Sequence, residues 1–373
     1  MSSLRSTERP DRAATIFSAL AFAFGLAWLV GIFVVFRQGE YVDGVWVYAL
    51  GDHWGYDIEA YVGAAGRLLA EGSLYASELV EAPFTPGGYG YFYYAPPFGV
   101  ALTPLAGLSE PDSSAIWYGL KVAAMLAACL VMPVKLPVRA LTFVGLAVSF
   151  WVMRDLVLGN VGLALLLPLS LAWRWLDRPL GSIATAVAIS VRPSLGAILI
   201  WQLLRRRWRV AAWTIAAGLA LILLSLPFVG IDGYRDYLST LANLQPPGAG
   251  SENRDLGTTA VLLGLDDQWI GLVRWGSMAL GVGLIVLSLR KDRELGYMIT
   301  LAASLLLISQ MWEFYLITLA LPLALLAHRW RPVVLLLLVL SWLPSVFAPT
   351  VLLATLALLF LGPDRTKPET VGA

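Results

Sequence analysis

Charged side chains are scarce in this sequence: aspartate, glutamate, lysine and arginine make up 14% of its 373 residues. Soluble proteins of this length carry about 25%. Hydrophobic residues make up 58%, the mean hydropathy is +0.74, and apolar runs near the length that crosses a bilayer recur along the chain. Because these runs are continuous rather than alternating, we predict an all-α polytopic membrane protein.

Cysteine and histidine are also rare. The single cysteine, Cys129, lies inside an apolar run, and one cysteine excludes an intrachain disulfide. With two histidines and scattered acidic residues, the signature of a metal site is weak. The net charge of +1 gives no electrostatic basis for binding nucleic acid. We therefore expect no nucleic-acid partner and no cofactor, although a divalent cation is compatible with the sequence.

Lysine and arginine are concentrated in every second loop. The basic segments are the N-terminus, 135–139, 174–179, 205–209, 290–294, 328–332 and the C-terminal tail. The segments between them contain few lysines or arginines; they are 154–160, 190–194, 230–267, 310–314 and 347–350. Short basic loops usually face the cytoplasm, so this alternation predicts about twelve transmembrane helices in one domain, 1–373, with both termini cytoplasmic.

The predicted spans follow the apolar runs. They are 13–36, 113–132, 139–153, 160–176, 180–191, 195–204, 208–229, 268–289, 294–309, 315–327, 330–346 and 350–362. The spans 180–191 and 195–204 are short enough to form a hairpin that turns part-way through the membrane. The run 98–108 is too short to cross and is interpreted as re-entrant or juxtamembrane. Two large segments, 37–112 and 230–267, are then extracytoplasmic loops.

Residues 51–61, GDHWGYDIEAY, hold three carboxylates and one of the two histidines. From Asp57 onward, apolar residues at helical spacing predict an amphipathic juxtamembrane helix. An aspartate at a helix start can simply cap free N–H groups. Alternatively, a carboxylate in low-dielectric surroundings has a raised proton affinity, which suits a general base acting on a lipid-linked substrate. Asp52 and Glu59 compete for that role, and His53 could join a carboxylate at a metal ion.

Aromatic residues crowd together just before Pro96-Pro97, where Tyr93 and Tyr94 follow a glycine-rich stretch. Such a cluster is typical of an interfacial aromatic belt. It is equally suited to form the wall of a cleft that packs a sugar ring or a lipid chain.

Four motifs follow one another in a fixed order: GYDIEAYVGAAGRLLAEGSLY, YYAPPFGVALTPLAGL, LGNVGLALLLPLSLAW and, after a basic loop, VRPSLGAILIWQLLRRRWR. This order, over roughly residues 50–260, resembles glycosyltransferase family 87, which has the integral-membrane GT-C fold. That family includes polyprenol-phosphate-mannose-dependent α-mannosyltransferases of actinobacterial phosphatidylinositol mannoside synthesis. The resemblance implies a cell-membrane enzyme that transfers a hexose, most plausibly mannose, from a polyprenyl-phosphate-sugar donor. The acceptor would be a hydroxyl of a glycolipid or lipoglycan on the extracytoplasmic face. The reaction would be a displacement that inverts the anomeric configuration.

The resemblance also implies roles for particular residues. Asp57 takes the place of the catalytic aspartate, Gly159-Asn160 that of a Gly-Gln/Asn turn, and Arg192-Pro193 that of a Lys-Pro turn. Arg192, with Arg154 as a second candidate, would bind the donor phosphate. The predicted substrate-binding residues are Asp52, His53, Glu59, Tyr61, Tyr93, Tyr94, Asn160, Asn253, Trp312 and Glu313. Where the family often shows histidine near a tryptophan, this chain has Glu313 after Trp312.

Plainer interpretations stand beside these roles. Arg192 could be a snorkelling or helix-terminal arginine, Arg154 an interfacial one, and Glu313 a solvated loop acid. Residues 245–257 read as a flexible loop, or as a lid that orders on substrate binding.

Two other activities are compatible with many helices. One is a related GT-C enzyme that uses arabinofuranose or glucose as the lipid-linked sugar. The other is a transporter or flippase, which predicts paired inverted repeats with ionisable residues near mid-membrane in both halves. No matching second half is found in the sequence. A third alternative is a non-catalytic membrane scaffold, which would leave Asp57 and Arg192 free to vary.

Overall fold

The computed structural model describes residues 11–37, 55–86, 90–248, 253–340 and 347–361. Within these ranges the chain consists of α-helices and 3₁₀ helices without β-strands, and its one sheet-like feature is an isolated bridge between Phe84 and Leu244. The prediction of an all-α protein is therefore confirmed.

The α-helices in chain order are α1 Arg12–Arg37, α2 Tyr56–Glu71, α3 Ser77–Glu81, α4 Pro96–Ala101, α5 Glu110–Val131, α6 Leu136–Ala147, α7 Phe150–Leu158, α8 Leu166–Arg174, α9 Pro179–Val191, α10 Gly196–Leu204, α11 Trp208–Asn243, α12 Leu256–Leu262, α13 Ile270–Ser288, α14 Arg293–Ala303, α15 Ala320–Arg329, α16 Leu336–Val339 and α17 Ala348–Leu361. The 3₁₀ helices are Thr103–Leu105, Pro193–Leu195, Asp267–Trp269, Ser304–Leu307, Glu313–Leu319 and Pro332–Leu335.

Four segments in the described ranges are long and apolar enough to cross a membrane: Arg12–Val35, Glu110–Val131, Trp208–Asn243 and Asp267–Ser288. A fifth would be formed by α6 and α7 together, although these two helices are bent by 61°. About twelve spans are therefore not confirmed. Several predicted spans are shorter or interrupted, because an apolar run does not reveal where its helix breaks.

The predicted span 139–153 is one such case. Its helix stops at Ala147, and Ser149 adopts an extended backbone (φ −74, ψ 133) from which α7 starts in a new direction. The predicted span 139–153 is therefore broken by a bend of 61°. The break gives α7 its own orientation and carries its C-terminal end toward α2.

Helix α11 is longer than the predicted span 208–229. It continues to Asn243 across a break at Gly230 (φ 65, ψ −176), a conformation that glycine adopts readily. Pro227 precedes the break, and the Ser225 and Tyr234 hydroxyls lie 2.5 Å apart across it. The predicted extracytoplasmic segment 230–267 therefore begins as a helix, which brings Tyr237 to the cavity described below.

The predicted cytoplasmic loops meet at one end of the molecule. Asp177 pairs with Arg207 and, at 2.7 Å, with Arg293. Arg329 pairs with Glu294 at 2.7 Å. These contacts join four of the basic loops, as the alternation of basic and non-basic loops requires.

The predicted outer segments meet one another too. The Phe84 N–H donates to the Asn243 carbonyl (3.0 Å), and the Gln245 N–H donates to the Phe84 carbonyl (2.8 Å). The Asn253 side chain donates to the Ser309 carbonyl at 2.7 Å. The first and second predicted outer loops are thus joined to each other and to the segment that precedes Glu313–Leu319.

Candidate active site

Helix α2 begins where the sequence predicts. Its N-cap is Gly55, in the left-handed conformation (φ 84), and Asp57 is the second helical residue. The Gly55 N–H donates to the Val157 carbonyl at 2.7 Å, which ties the start of α2 to the end of α7. Asp57 is half-buried at this junction. Glu59, the competing carboxylate, lies two positions further along the same helix.

The Gly159-Asn160 turn packs directly against the start of α2. Gly159 has φ 76, and a Cβ atom there would lie 2.8 Å from Ile58 Cγ2 and 3.0 Å from the Ile58 nitrogen. Only glycine permits both this conformation and this approach. The Trp117 Nε1–H donates to the Gly159 carbonyl at 2.6 Å and holds the turn in place.

Because the turn lies against α2, the Asn160 side chain contacts Asp57. Its Nδ2 donates to Oδ2 of Asp57 at 2.8 Å, and its Oδ1 accepts from the Gly162 N–H at 3.0 Å. Only 4% of Asn160 is exposed. The structure therefore joins two predicted site residues from distant parts of the chain.

A buried ion pair lies behind the turn, and the sequence analysis missed it. Lys121 on α5 and Asp155 on α7 are both fully buried, with Nζ 3.1 Å from Oδ1 and 2.5 Å from the Asp155 carbonyl. The other carboxylate oxygen accepts from the Leu163 N–H at 3.1 Å. A lysine within an apolar helix calls for a charged or carbonyl partner, and that signal was available in the sequence.

Arg192 lies at the predicted break between two short helices. Helix α9 ends at Val191 because the residue before a proline avoids the helical conformation, and Arg192 is extended (φ −131, ψ 98). Its Cζ lies 3.8 Å from the centroid of the Tyr315 ring, and 7% of the residue is exposed. Within the described part of the chain, its Nη1 and Nη2 atoms have no hydrogen-bond partner.

Arg192 lines a cavity of about 260 Å³. Four hydroxyl-bearing rings line it, those of Tyr93, Tyr94, Tyr237 and Tyr315. The rest is largely apolar, with Leu241 and Leu244 from the end of α11 and its continuation among the lining residues. In the described part of the chain, the cavity therefore combines a guanidinium whose terminal nitrogens lack hydrogen-bond partners, phenol groups and an apolar surface.

Tyr94 lines this cavity and lies within electrostatic range of Asp57, which is not among the lining residues. Its ring stacks on that of Tyr93 (5.5 Å, 9°), and its hydroxyl accepts from the Tyr61 hydroxyl at 2.9 Å. Burial raises the pKa of Tyr94 well above its ordinary value; among the nearby charges, Asp57 raises the pKa further and Arg192 lowers it. The phenol of Tyr94 thus responds to the charges of both the carboxylate and the guanidinium. Tyr61, with 1% exposed, is not among the residues that line the cavity but bonds to Tyr94, which is.

Arg154 and Glu313 form a second ion pair near the site. Arg154 Nε lies 2.9 Å from Glu313 Oε1, and 7% and 1% of the two residues are exposed. The interpretation of Glu313 as a solvated loop acid is wrong, because the pair is buried. Trp312, next in the chain, stacks on Phe314 with the ring centroids 6.4 Å apart.

Asn253 is fully buried and its amide is used within the protein. It donates to Asp255 Oδ2 (2.6 Å) and to the Ser309 carbonyl (2.7 Å), and accepts from the Met311 N–H (2.7 Å). It fixes the end of the second outer loop. Asp52 and His53 lie outside the described residues. The described ranges contain no group of three or more histidine, cysteine or acidic side chains that could hold a metal ion.

Comparison with known proteins gives one match. The family model for glycosyltransferase family 87 matches residues 92–311. This range includes Lys121, Arg154, Asn160 and Arg192 and begins after Asp57. No curated protein matches the chain.

Proposed function

The chain belongs to glycosyltransferase family 87, and we propose that it transfers mannose from a polyprenyl-phosphate donor to a hydroxyl of a glycolipid or lipoglycan on the extracytoplasmic face. The observation that carries the proposal is the buried guanidinium of Arg192, which lacks a hydrogen-bond partner in the described chain and lines the cavity. Buried guanidinium N–H groups without acceptors are costly, so they call for an anionic ligand.

The phosphate of the donor is the anion that fits this position. When the sugar leaves, negative charge grows on the phosphate oxygens, and a fixed cation aimed at them stabilises the transition state most. Arginine presents a planar fork of donors that matches phosphate. The Tyr315 ring, 3.8 Å away, holds the guanidinium in place, so little reorganisation is needed.

The apolar part of the cavity supports a donor that carries a lipid. Leu241, Leu244 and Leu307 line it beside Arg192. Helix α11 also presents apolar side chains outward, and Leu238 is 64% exposed. A polyprenyl chain can lie along this surface with its phosphate at Arg192. Tyr93, Tyr94 and Tyr315 would face the sugar, since tyrosine combines an apolar ring with a polar tip.

Asp57 is the general base in this proposal. It takes the proton of the acceptor hydroxyl as that oxygen attacks the anomeric carbon from the side opposite the phosphate. The bond between the anomeric carbon and the phosphate oxygen breaks, and polyprenyl phosphate leaves with the electron pair. A single displacement of this kind inverts the anomeric configuration. The Arg154–Glu313 pair and Trp312 would shape the acceptor side.

The test is transfer of radiolabelled mannose from polyprenyl-phosphate-mannose to total membrane lipid by the purified protein. Asp57→Asn is compared with Asp232→Asn, which makes the same change at an exposed position on α11 (side chain 84% exposed). We expect label transfer by the wild type and by Asp232→Asn, and none by Asp57→Asn. Transfer by Asp57→Asn at the wild-type rate would remove Asp57 as the base, and Glu59→Gln would be tested next.

The same assay tests the choice of sugar. If the wild type transfers no mannose but transfers arabinofuranose or glucose from the corresponding polyprenyl phosphate, the proposed donor is wrong while the role of Arg192 stands. Absence of transfer from all three donors would contradict the proposal as a whole.

A further inference from the structure

The orientation of the Asn160 amide is determined by its neighbours. Its Oδ1 faces the Gly162 N–H, which can only donate, and its Nδ2 faces the Asp57 carboxylate, which accepts when ionised. If the amide were flipped, Nδ2 would face the Gly162 N–H, donor against donor, and Oδ1 would face the Asp57 carboxylate, acceptor against acceptor. Because Asn160 is 4% exposed, water cannot readily replace either partner.

The turn that carries Asn160 is held from behind. The Asp155 carbonyl accepts from the Asn160 N–H at 3.0 Å and from Lys121 Nζ at 2.5 Å. The Asp155 carboxylate binds Lys121 on one oxygen and the Leu163 N–H on the other. All of these contacts lie in the interior, so the turn has few alternative positions.

We propose that Asn160 is a positioning residue for Asp57, and that the buried pair Lys121–Asp155 holds Asn160 in place. The hydrogen bond from Nδ2 fixes the rotation of the carboxylate and favours its ionised form, the form that accepts a proton. This inference rests on the proposed function. It differs from the prediction that Asn160 binds substrate, since both polar ends of its amide are engaged within the protein.

Several titratable groups lie within electrostatic reach of Asp57. They are Lys121 on α5, Tyr61 on α2, Tyr93 and Tyr94 in the segment before α4, and Tyr315 in Glu313–Leu319. Substitutions of Asn160 leave all of them in place. A change in the pH dependence of an Asn160 variant therefore reports the contact with Asp57.

The experiment measures kcat and KM against pH for the purified full-length protein with labelled polyprenyl-phosphate-mannose. For Asn160→Ala we expect kcat to fall about tenfold, the usual effect of losing a hydrogen bond to a charged group, with KM for both substrates unchanged. Asn160→Asp sets a second carboxylate against Asp57. We expect the acidic limb of its kcat profile to move about one pH unit upward, with activity recovering at high pH.

Gln268→Glu is the matched control, because it makes the same amide-to-carboxylate change on an exposed side chain. Its profile should equal that of the wild type. If Asn160→Asp does not fold, the pH profile of Asn160→Ala provides the test. Losing the hydrogen bond from Nδ2 should also move the acidic limb of the kcat profile upward, but by less than one pH unit.

Two results would overturn the inference. A kcat that falls equally at every pH would mean that Asn160 only supports the fold. A KM that rises for one substrate at constant kcat would mean that Asn160 binds that substrate. Failure of the proposed function looks different, because the wild type would then transfer no sugar from any of the lipid-linked donors.

Discussion

The carboxamide of Asn160 lies 2.8 Å from the carboxylate of Asp57, although 103 residues separate the two in the chain. The contact exists because α7 breaks away from α6 and ends in a glycine turn against the start of α2. The position of the proposed base, Asp57, therefore depends on the buried turn Gly159-Asn160. Substitutions in that turn should alter catalysis.

Gly159→Ala tests the close approach of the turn to α2. An added Cβ would lie 2.8 Å from Ile58 Cγ2, and φ 76 strains any other residue. We expect kcat to fall at least tenfold, because the turn must move away from Asp57, and a lower melting temperature. Gly218→Ala is the control, since a Cβ there meets nothing within 4 Å. Equal activity of Gly159→Ala and the wild type would contradict the packing described here.

Lys121→Met tests the buried ion pair. Removing the lysine leaves the Asp155 carboxylate buried without its charged partner, which costs on the order of 3 kcal/mol of unfolding free energy. The double variant Lys121→Met/Asp155→Asn carries no unpaired charge and should recover part of that loss. Thermal unfolding in detergent measures the stability of the single and the double variant. A double variant no more stable than Lys121→Met would show that the charge pairing is not what matters.

Arg192→Lys and Arg192→Met test donor binding. Lysine keeps the charge but loses the planar fork that faces the phosphate in the ground state and in the transition state, so we expect kcat/KM for the donor to fall about tenfold, with a larger fall for methionine. KM for the acceptor should stay unchanged. Arg235→Met is the control, because Arg235 is exposed and pairs only with Asp232 within the described contacts. A rise in KM for the acceptor, with kcat/KM for the donor unchanged, would contradict this role of Arg192.

Tyr315→Leu tests the ring beneath the guanidinium. A desolvated cation–π contact is worth about 1–2 kcal/mol, so we expect donor affinity to fall roughly fivefold to thirtyfold. Tyr315→Phe keeps the ring and should bind the donor nearly as the wild type does. If Tyr315→Phe is as weak as Tyr315→Leu, the hydroxyl rather than the ring is responsible.

Local patterns were enough to predict several parts of the site. The apolar spacing after Asp57 predicted α2, and Pro193 predicted the break at Arg192; both are confirmed. The alternation of basic loops predicted which loops lie together, and the ion pairs of Asp177 and Arg329 agree with it.

Contacts between distant segments could not be predicted in this way. Neither the Lys121–Asp155 pair nor the Asn160–Asp57 hydrogen bond leaves a periodic signal, because each joins residues that only the tertiary fold brings together. The breaks at Ser149 and Gly230 were missed for a related reason: hydropathy continues across them while the backbone changes direction. Glu313 was left open because its burial depends on Arg154, 159 positions earlier.

The most direct test separates donor binding from transfer on the same preparation. Binding and single-turnover transfer of labelled polyprenyl-phosphate-mannose are measured for the wild type and for Asp57→Asn. We predict the same donor affinity for both proteins and transfer at least a hundredfold slower for Asp57→Asn, because a general base contributes about 10²–10⁴-fold. Transfer by Asp57→Asn at the wild-type rate would contradict the account.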